Sequence, residues 1–282
     1  MGGLFSGAQR RPVGRATGFL EPPLGQDWPE DVGQGGAVEI RGLSKSFALG
    51  GGRLQVLSGL NLTIRPGEAL AIVGASGSGK TTLLRMLAGL DQPDAGEVRI
   101  DGALVDGVGN ERAVIYQEPR LLPWLTVLGN VAFGLEARGI TRGTAEARAR
   151  QVIDLVHLTD FADALPRQLS GGMAQRAGIA RALAVQPEIL LLDEPLGALD
   201  AMTRIILQQE LARIWEEEKV TMILVTHDLE EAIVLADRVL VLPRDKGGAA
   251  RVIDVTLPRP RDRSEPGFVA LRKRLMAELG LH

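Results

Sequence analysis

Apolar positions follow no period over the first 35 or so residues, which are rich in Gly, Pro and Arg. The pattern predicts a flexible extension over residues 1–35. A different grammar begins at "AVEIRGL". The short apolar segments "AVEI", "LQVL", "LNLTI" and "EALAIVG" predict a small, partly antiparallel sheet. "RPGE", Arg65 to Glu68, reads as a turn feeding a strand from Ala69 to Val73. "GKTTLLRMLAGL" reads as a helix ending near Gly89, followed by strands over Glu97 to Ile100 and Ala113 to Tyr116. Residues 126–185 read as mostly helical, in three segments, the last stopping before Pro187. Beyond it come a buried strand "EILLLDE", a helix over 201–218, a strand "TMILVTH", a helix over 229–236 and a strand "DRVLVL". Apolar strands alternating with helices predict a parallel sheet covered on both faces, with the helical run as an inserted subdomain. Residues 243–282 hold turn-rich "PRDKGG" and "LPRPRDRSEPG", then a short basic amphipathic helix ending in "LRKRLMAEL". No internal repeat is present.

Composition narrows this picture. The 282 residues suit one large domain or two small ones, and 45% hydrophobic content is enough for a sizeable core. With 32 basic and 35 acidic residues the formal charge is −3, so no overall field favours nucleic acid or anionic lipid. There are no cysteines, which excludes disulfides and thiolate metal sites. No stretch approaches the roughly 18 apolar residues of a membrane helix. Arg10, Arg11 and Arg15 have no apolar run behind them, so a secretory signal is not expected. A membrane role would require another chain to cross the bilayer.

Candidate chemistry gathers at strand ends. "GASGSGKT", Gly74 to Thr81, fits G-x-x-x-x-G-K-[ST] and lies between an apolar strand and a helix. Its glycines let backbone N–H groups turn inward around phosphate oxygens, Lys80 reaches outer phosphates, and Thr81 is placed to ligate Mg²⁺. "ILLLDEP" ends a buried strand in two acids, an arrangement packing alone does not explain. Asp193 suits a Mg²⁺ ion, and Glu194 is placed to orient and deprotonate water. His227, in "VTHDLEEA", ends another apolar strand; contact with a terminal phosphate and simple satisfaction by Asp228 both remain open on chemistry alone. Gln117 follows the strand "AVIYQ" and is in reach of Mg²⁺ or the attacking water, a weak signal by itself. For His157 and His282 the bland reading wins. Phe47 in "LSKSF" is an isolated aromatic, which sequence alone assigns to the core. "LSGGMAQR", Leu169 to Arg176, is a second glycine-rich helix start.

Together these stretches resemble the ATP-binding subunit of an ABC transporter, from about Ala37 to Pro243. "GASGSGKT" resembles its Walker A, "ILLLDE" its Walker B, "LSGGM" its signature, "GALD" its D-loop, Gln117 its Q-loop and His227 its switch histidine. The resemblance implies an α/β fold. Its P-loop NTPase (RecA-like) core has a mostly parallel sheet, joined by an N-terminal antiparallel β subdomain and an α-helical subdomain inserted at about 118–185. The ATP-binding domain is then 36–243, and 244–282 a tail with a short helix. The resemblance implies ATP bound by Gly74, Ala75, Ser76, Gly77, Ser78, Gly79, Lys80, Thr81 and Thr82. It places Phe47 on the base, and Ser170, Gly171 and Gly172 on the ATP of a second subunit. Thr81, Gln117 and Asp193 are its implied Mg²⁺ residues, and Glu194, His227 and Gln117 its catalytic ones.

Met173 departs from the commonest glutamine at that place, yet methionine is usual in the branch that imports nitrate, sulfonates and taurine. "LLPW" within Gln117 to Val131 and the tail "LPRPRDR" are similar to that branch too. The implied protein is a homodimeric transport ATPase on the cytoplasmic face of the plasma membrane. It would drive separate permease subunits, with a solute-binding protein as an indirect partner and no nucleic acid. Two other readings fit less well. Repair ATPases of this superfamily insert a long coiled coil and translation factors carry two cassettes, whereas here there is one cassette with a short insert. A non-enzymatic, nucleotide-regulated scaffold would be expected to lack Glu194 or His227.

Overall fold

The computed structural model describes residues 35–49, 52–197, 199–243 and 248–281. Residues 1–34 of the expected extension, Ala198 of "GALD" and positions 244–247 of the "PRDKGG" turn lie outside them.

Two sheets face each other. The smaller runs β2-β1-β4-β5, all antiparallel, from β1 (Val38–Leu49), β2 (Gly52–Ile64), β4 (Ala95–Ile100) and β5 (Ala103–Leu104). The segments "LQVL" and "LNLTI" are one strand rather than two. The apolar pattern breaks at Ser58 and Gly59, but the β1–β2 ladder shifts register there and continues. Side chains satisfy the donors that slip out of the ladder. Gly59 N–H donates to Ser44 Oγ at 2.9 Å, and Gly42 N–H to Asn61 Oδ1 at 2.8 Å.

The larger sheet runs β10-β9-β3-β8-β7-β6. It corrects the expectation for "EALAIVG". That segment is β3 (Ala69–Gly74), which lies in this sheet between β8 (Thr221–Val225) and β9 (Arg238–Leu242), not in the antiparallel one. Its near-continuous burial is the mark of a strand covered on both faces. The strands β6 (Arg112–Tyr116) and β7 (Ile189–Asp193) complete the parallel set, and β10 (Arg251–Asp254) adds an antiparallel edge.

Residues alternate between the two sides of this sheet. Leu70, Ile72, Leu191, Ile223 and Leu240 pack with the smaller sheet and with α1 (Lys80–Leu87). From the other face Leu190, Leu192 and Leu224 meet α2 (Val127–Ala137), α3 (Arg142–Leu155), α4 (Gly171–Ala184) and α5 (Ala201–Glu218). On that same face Ala71, Val73, Val239 and Val241 meet α6 (Leu229–Leu235) and α7 (Pro266–Glu278). The parallel register brings the C-terminal ends of β3, β6, β7 and β8 to one edge, where ligands bind in open α/β sheets.

Candidate functional site

The loop Gly74–Thr81 joins β3 to α1. At its end Gly79 has φ 97°, a left-handed backbone, and a Cβ there would lie 2.7 Å from Val56 Cγ1 of β2. Only glycine fits this close passage. No side chain caps α1, so the first-turn N–H groups of Lys80, Thr81 and Thr82 face the loop without a side-chain acceptor. The Lys80 ammonium donates to the carbonyls of Gly74 at 2.9 Å and Ala75 at 3.1 Å, which aims it across the loop. Burial lowers its pKa, while Glu194 and Asp193 pull the other way. Ser78 Oγ is buried without a partner. A ring of N–H groups, a cation and an orphan hydroxyl on one loop suits an oxyanion.

The acids arrive from the next strands. Asp193 closes β7, and Thr81 Oγ1 donates to its Oδ1 at 3.4 Å. Burial and then the Glu194 charge push the Asp193 carboxyl up; Thr81 and Lys80 oppose them. A hydroxyl and a carboxylate crowded by negative charge fit a hard divalent cation. Among the described residues no three His, Cys, Asp or Glu gather as a metal cage. Such an incomplete oxygen set is the kind Mg²⁺ takes together with substrate phosphates. Glu194 has φ 48°, and its N–H donates to Val225 O at 2.9 Å. That turn points its carboxylate to His227, whose Nδ1 lies 3.1 Å from Oε2. Gln117 leaves β6 beside the same turn: a Cβ on Gly197 would sit 3.2 Å from its Nε2. Phe47 is 41% exposed on β1, opposite Leu54, in the hairpin whose Val56 borders the loop. Lys45 Nζ is 5.5 Å from the centre of its ring.

The second glycine-rich stretch opens α4. Ser170 is its N-cap and accepts from Met173 N–H at 3.3 Å. Gly171 faces open space, whereas Gly172 packs against Thr203 of α5. Among the described residues no hydrogen bond or ion pair joins Leu169–Met173 to Gly74–Thr81 of the same chain. Instead α4 grips the segment around Gln117. Gln175 Nε2 donates to Tyr116 O at 3.1 Å, and Arg181 donates to Pro119 O and Arg120 O at 2.8 Å each. Sequence reasoning missed both residues; both lie on α4 and reach backbone carbonyls of residues 116–120. It also missed Glu231, buried beside Thr226, whose hydroxyl donates to it. A cleft lined by Glu194, Gly197, Arg204, His227 and Glu231 joins this pair to the strand-end acids. His157 pairs with Glu210 at 3.6 Å, the bland outcome.

The chain is similar to known proteins. The ABC transporter family model matches residues 57–197. The aliphatic sulfonates import ATP-binding protein SsuB 3 of Nocardia farcinica is 48% identical over 87% of this chain and 92% of its own. SsuB 1 of Xanthomonas axonopodis pv. citri is 50% identical over 81% and 92%. A dimeric, post-hydrolysis structure of the ATP-binding cassette MJ0796, bound to ADP and Pi, aligns with a TM-score of 0.68. It is 33% identical, over 78% of this chain and 100% of that one. Among the described residues no helix is long and apolar enough to cross a membrane. The chain belongs to the ABC transporter family, as one of its ATP-binding, ATP-hydrolysing cassettes.

Proposed function

We propose that this chain is the ATPase of an importer for a small sulfonate or a related anion such as nitrate or taurine. It works as a homodimer at the cytoplasmic face of the membrane, beneath separate permease subunits. The observation that carries the site assignment is the meeting of four elements at one sheet edge: the Gly74–Thr81 loop, Asp193, Glu194 and His227. Gly74 to Thr82 hold the phosphates through backbone N–H groups and Lys80, and Phe47 stacks on the base. Thr81, Asp193 and Gln117 would hold Mg²⁺, which would neutralise charge on the outer phosphates. Glu194 accepts the proton of the attacking water, and His227 fixes the carboxylate and faces the terminal phosphate.

Ser170, Gly171 and Gly172 close on the ATP of the other subunit. That no hydrogen bond or ion pair among the described residues joins them to this chain's own phosphate loop supports that division, as does the dimeric form of the related cassette. A dimer closed on ATP reopens once the terminal phosphate leaves, giving hydrolysis a mechanical output. The grip of Gln175 and Arg181 on residues 116–120 links that motion to the Gln117 segment. The sulfonate assignment rests on relatives' names and on "LLPW", "LSGGM" and the tail, which is argument by likeness. Deleting the gene is expected to abolish growth on an alkanesulfonate or taurine as sole sulfur source, or on nitrate as sole nitrogen source. A copurifying permease that moves a lipid or a metal ion would overturn the solute and leave the ATPase.

A further inference from the structure

The arginine-rich tail plays no part in the chemistry above, yet it makes a dense set of contacts on one short helix. Arg261 Nη1 donates to Ile233 O at 2.5 Å, Ala236 O at 2.6 Å and Val234 O at 3.4 Å, and its Nε to Leu257 O at 3.2 Å. Arg259 donates to Leu235 O at 2.6 Å, pairs with Asp237 at 2.7 Å and lies 4.3 Å over the Trp215 ring. Arg263 and Arg272 both reach Glu230, in the first turn of α6.

The physical need is plain. α6 has seven residues, too few to hold a helix by itself in water. Its last carbonyls have no partner within the helix, and that end carries the negative pole of the dipole. Two tail arginines supply both donors and positive charge there. Burial, and next the neighbouring Arg259, bring Arg261 down to about 10, so it stays a cation near neutral pH. At its other end α6 begins two residues after His227, and its N-cap Asp228, next to that histidine, accepts from Glu230 N–H at 2.9 Å. Whatever holds α6 therefore sets where His227 stands against Glu194.

We propose that the tail is a clasp that positions His227 for ATP hydrolysis, with Arg261 as the positioning residue, acting through α6. This rests on the assignment of His227 to the hydrolytic site. It separates the tail from the permease: the clasp works in the isolated ATPase.

The test is a double-mutant cycle on the purified full chain, with residual turnover followed by release of labelled phosphate. Arg261→Ala is expected to lower kcat about tenfold or more, as misplacement of a reacting group does. KM for ATP, and ATP affinity on a Glu194→Gln background, should stay within about twofold. Arg261→Lys, which keeps the charge and part of the donor set, should recover part of kcat. On a His227→Ala background Arg261→Ala should cost no further kcat, because the two residues act as one unit. An unchanged kcat, or a loss that multiplies with that of His227→Ala, overturns the clasp. Where Arg261→Ala does not fold, Glu230→Gln, which frees Arg263 and Arg272 from α6, goes through the same cycle with the same expected and contrary outcomes. A wild-type chain without ATPase activity would instead sink the reading on which the clasp rests.

Discussion

Glu194 shows how much one residue's backbone can decide. Its left-handed φ of 48° is an uncommon conformation for a non-glycine residue, and here it turns the carboxylate off the strand axis toward His227. With the amide in its place the site can still orient water but cannot take its proton. Glu194→Gln is expected to keep ATP binding and to lower turnover ~10²- to 10⁴-fold. Steady-state ATPase within a factor of about two of wild type would remove Glu194 from the base role.

Glu231 carries a different lesson. Burial, then the charges of Asp228 and Glu194, raise its carboxyl to about 7 against 4.5 for a free one; the Thr226 bond and Arg204 oppose this. A carboxyl raised on folding contributes stability that is fully present below pH 4.5 and is lost as pH rises to about 7. Glu231→Gln removes that titration. Denaturant unfolding should therefore favour the variant more at pH 8 than at pH 5, by ~2–3 kcal/mol at most. A difference between variant and wild type that is the same at both pH values contradicts it. In the sequence Glu231 was one acid of two in a helix's first turn, indistinguishable from a solvated one. The strand-end acids were legible because an apolar strand announces them.

At the scale of elements, long apolar strands and strongly periodic helices read correctly, and short or edge elements did not. β10 has four residues, of which only Ile253 is buried, so no apolar run marks it. β2 read as two segments because the apolar pattern breaks at Ser58 and Gly59, where the ladder only shifts register. Arg259, Arg261 and Arg263 were present as a period of two, but "LPRPRDRSEPG" with its prolines read only as a turn. Where "LSGG" begins a helix was legible; why its glycines differ was not, because Thr203 comes from another element. A Cβ at Gly172 would lie 2.5 Å from Thr203 Cγ2, while one at Gly171 meets nothing. Thr203 cannot turn away without losing its 2.6 Å hydrogen bond to Asp200, the cap of α5. Gly172→Ala is expected to destabilise by ~1–3 kcal/mol and Gly171→Ala by far less. Adding Thr203→Ser, which removes the methyl and keeps the hydroxyl, should restore most of the loss in a thermal melt. Equal melting temperatures for the two alanine variants would show that the helix start shifts freely.

At the scale of the molecule, two helix N-termini with open N–H groups stand on one chain and, among the described residues, share no hydrogen bond or ion pair. Each by itself is half of an enclosure for a triphosphate, and a two-fold pair of chains supplies both halves twice. That is the central claim: Gly74–Thr81 and Leu169–Met173 act on one ATP only across the dimer. The direct measurement is nucleotide trapping by a mixed dimer on the Glu194→Gln background. One subunit carries Lys80→Ala; the other carries Gly171→Asp, a carboxylate placed in the open space beside the phosphates. Acting in trans, the two changes fall on the same site, and the other site stays whole. The mixed dimer should then trap about one ATP, and each mutant homodimer almost none. Trapping by the mixed dimer no better than by the homodimers would mean that both motifs serve the ATP of their own chain, and would contradict the account.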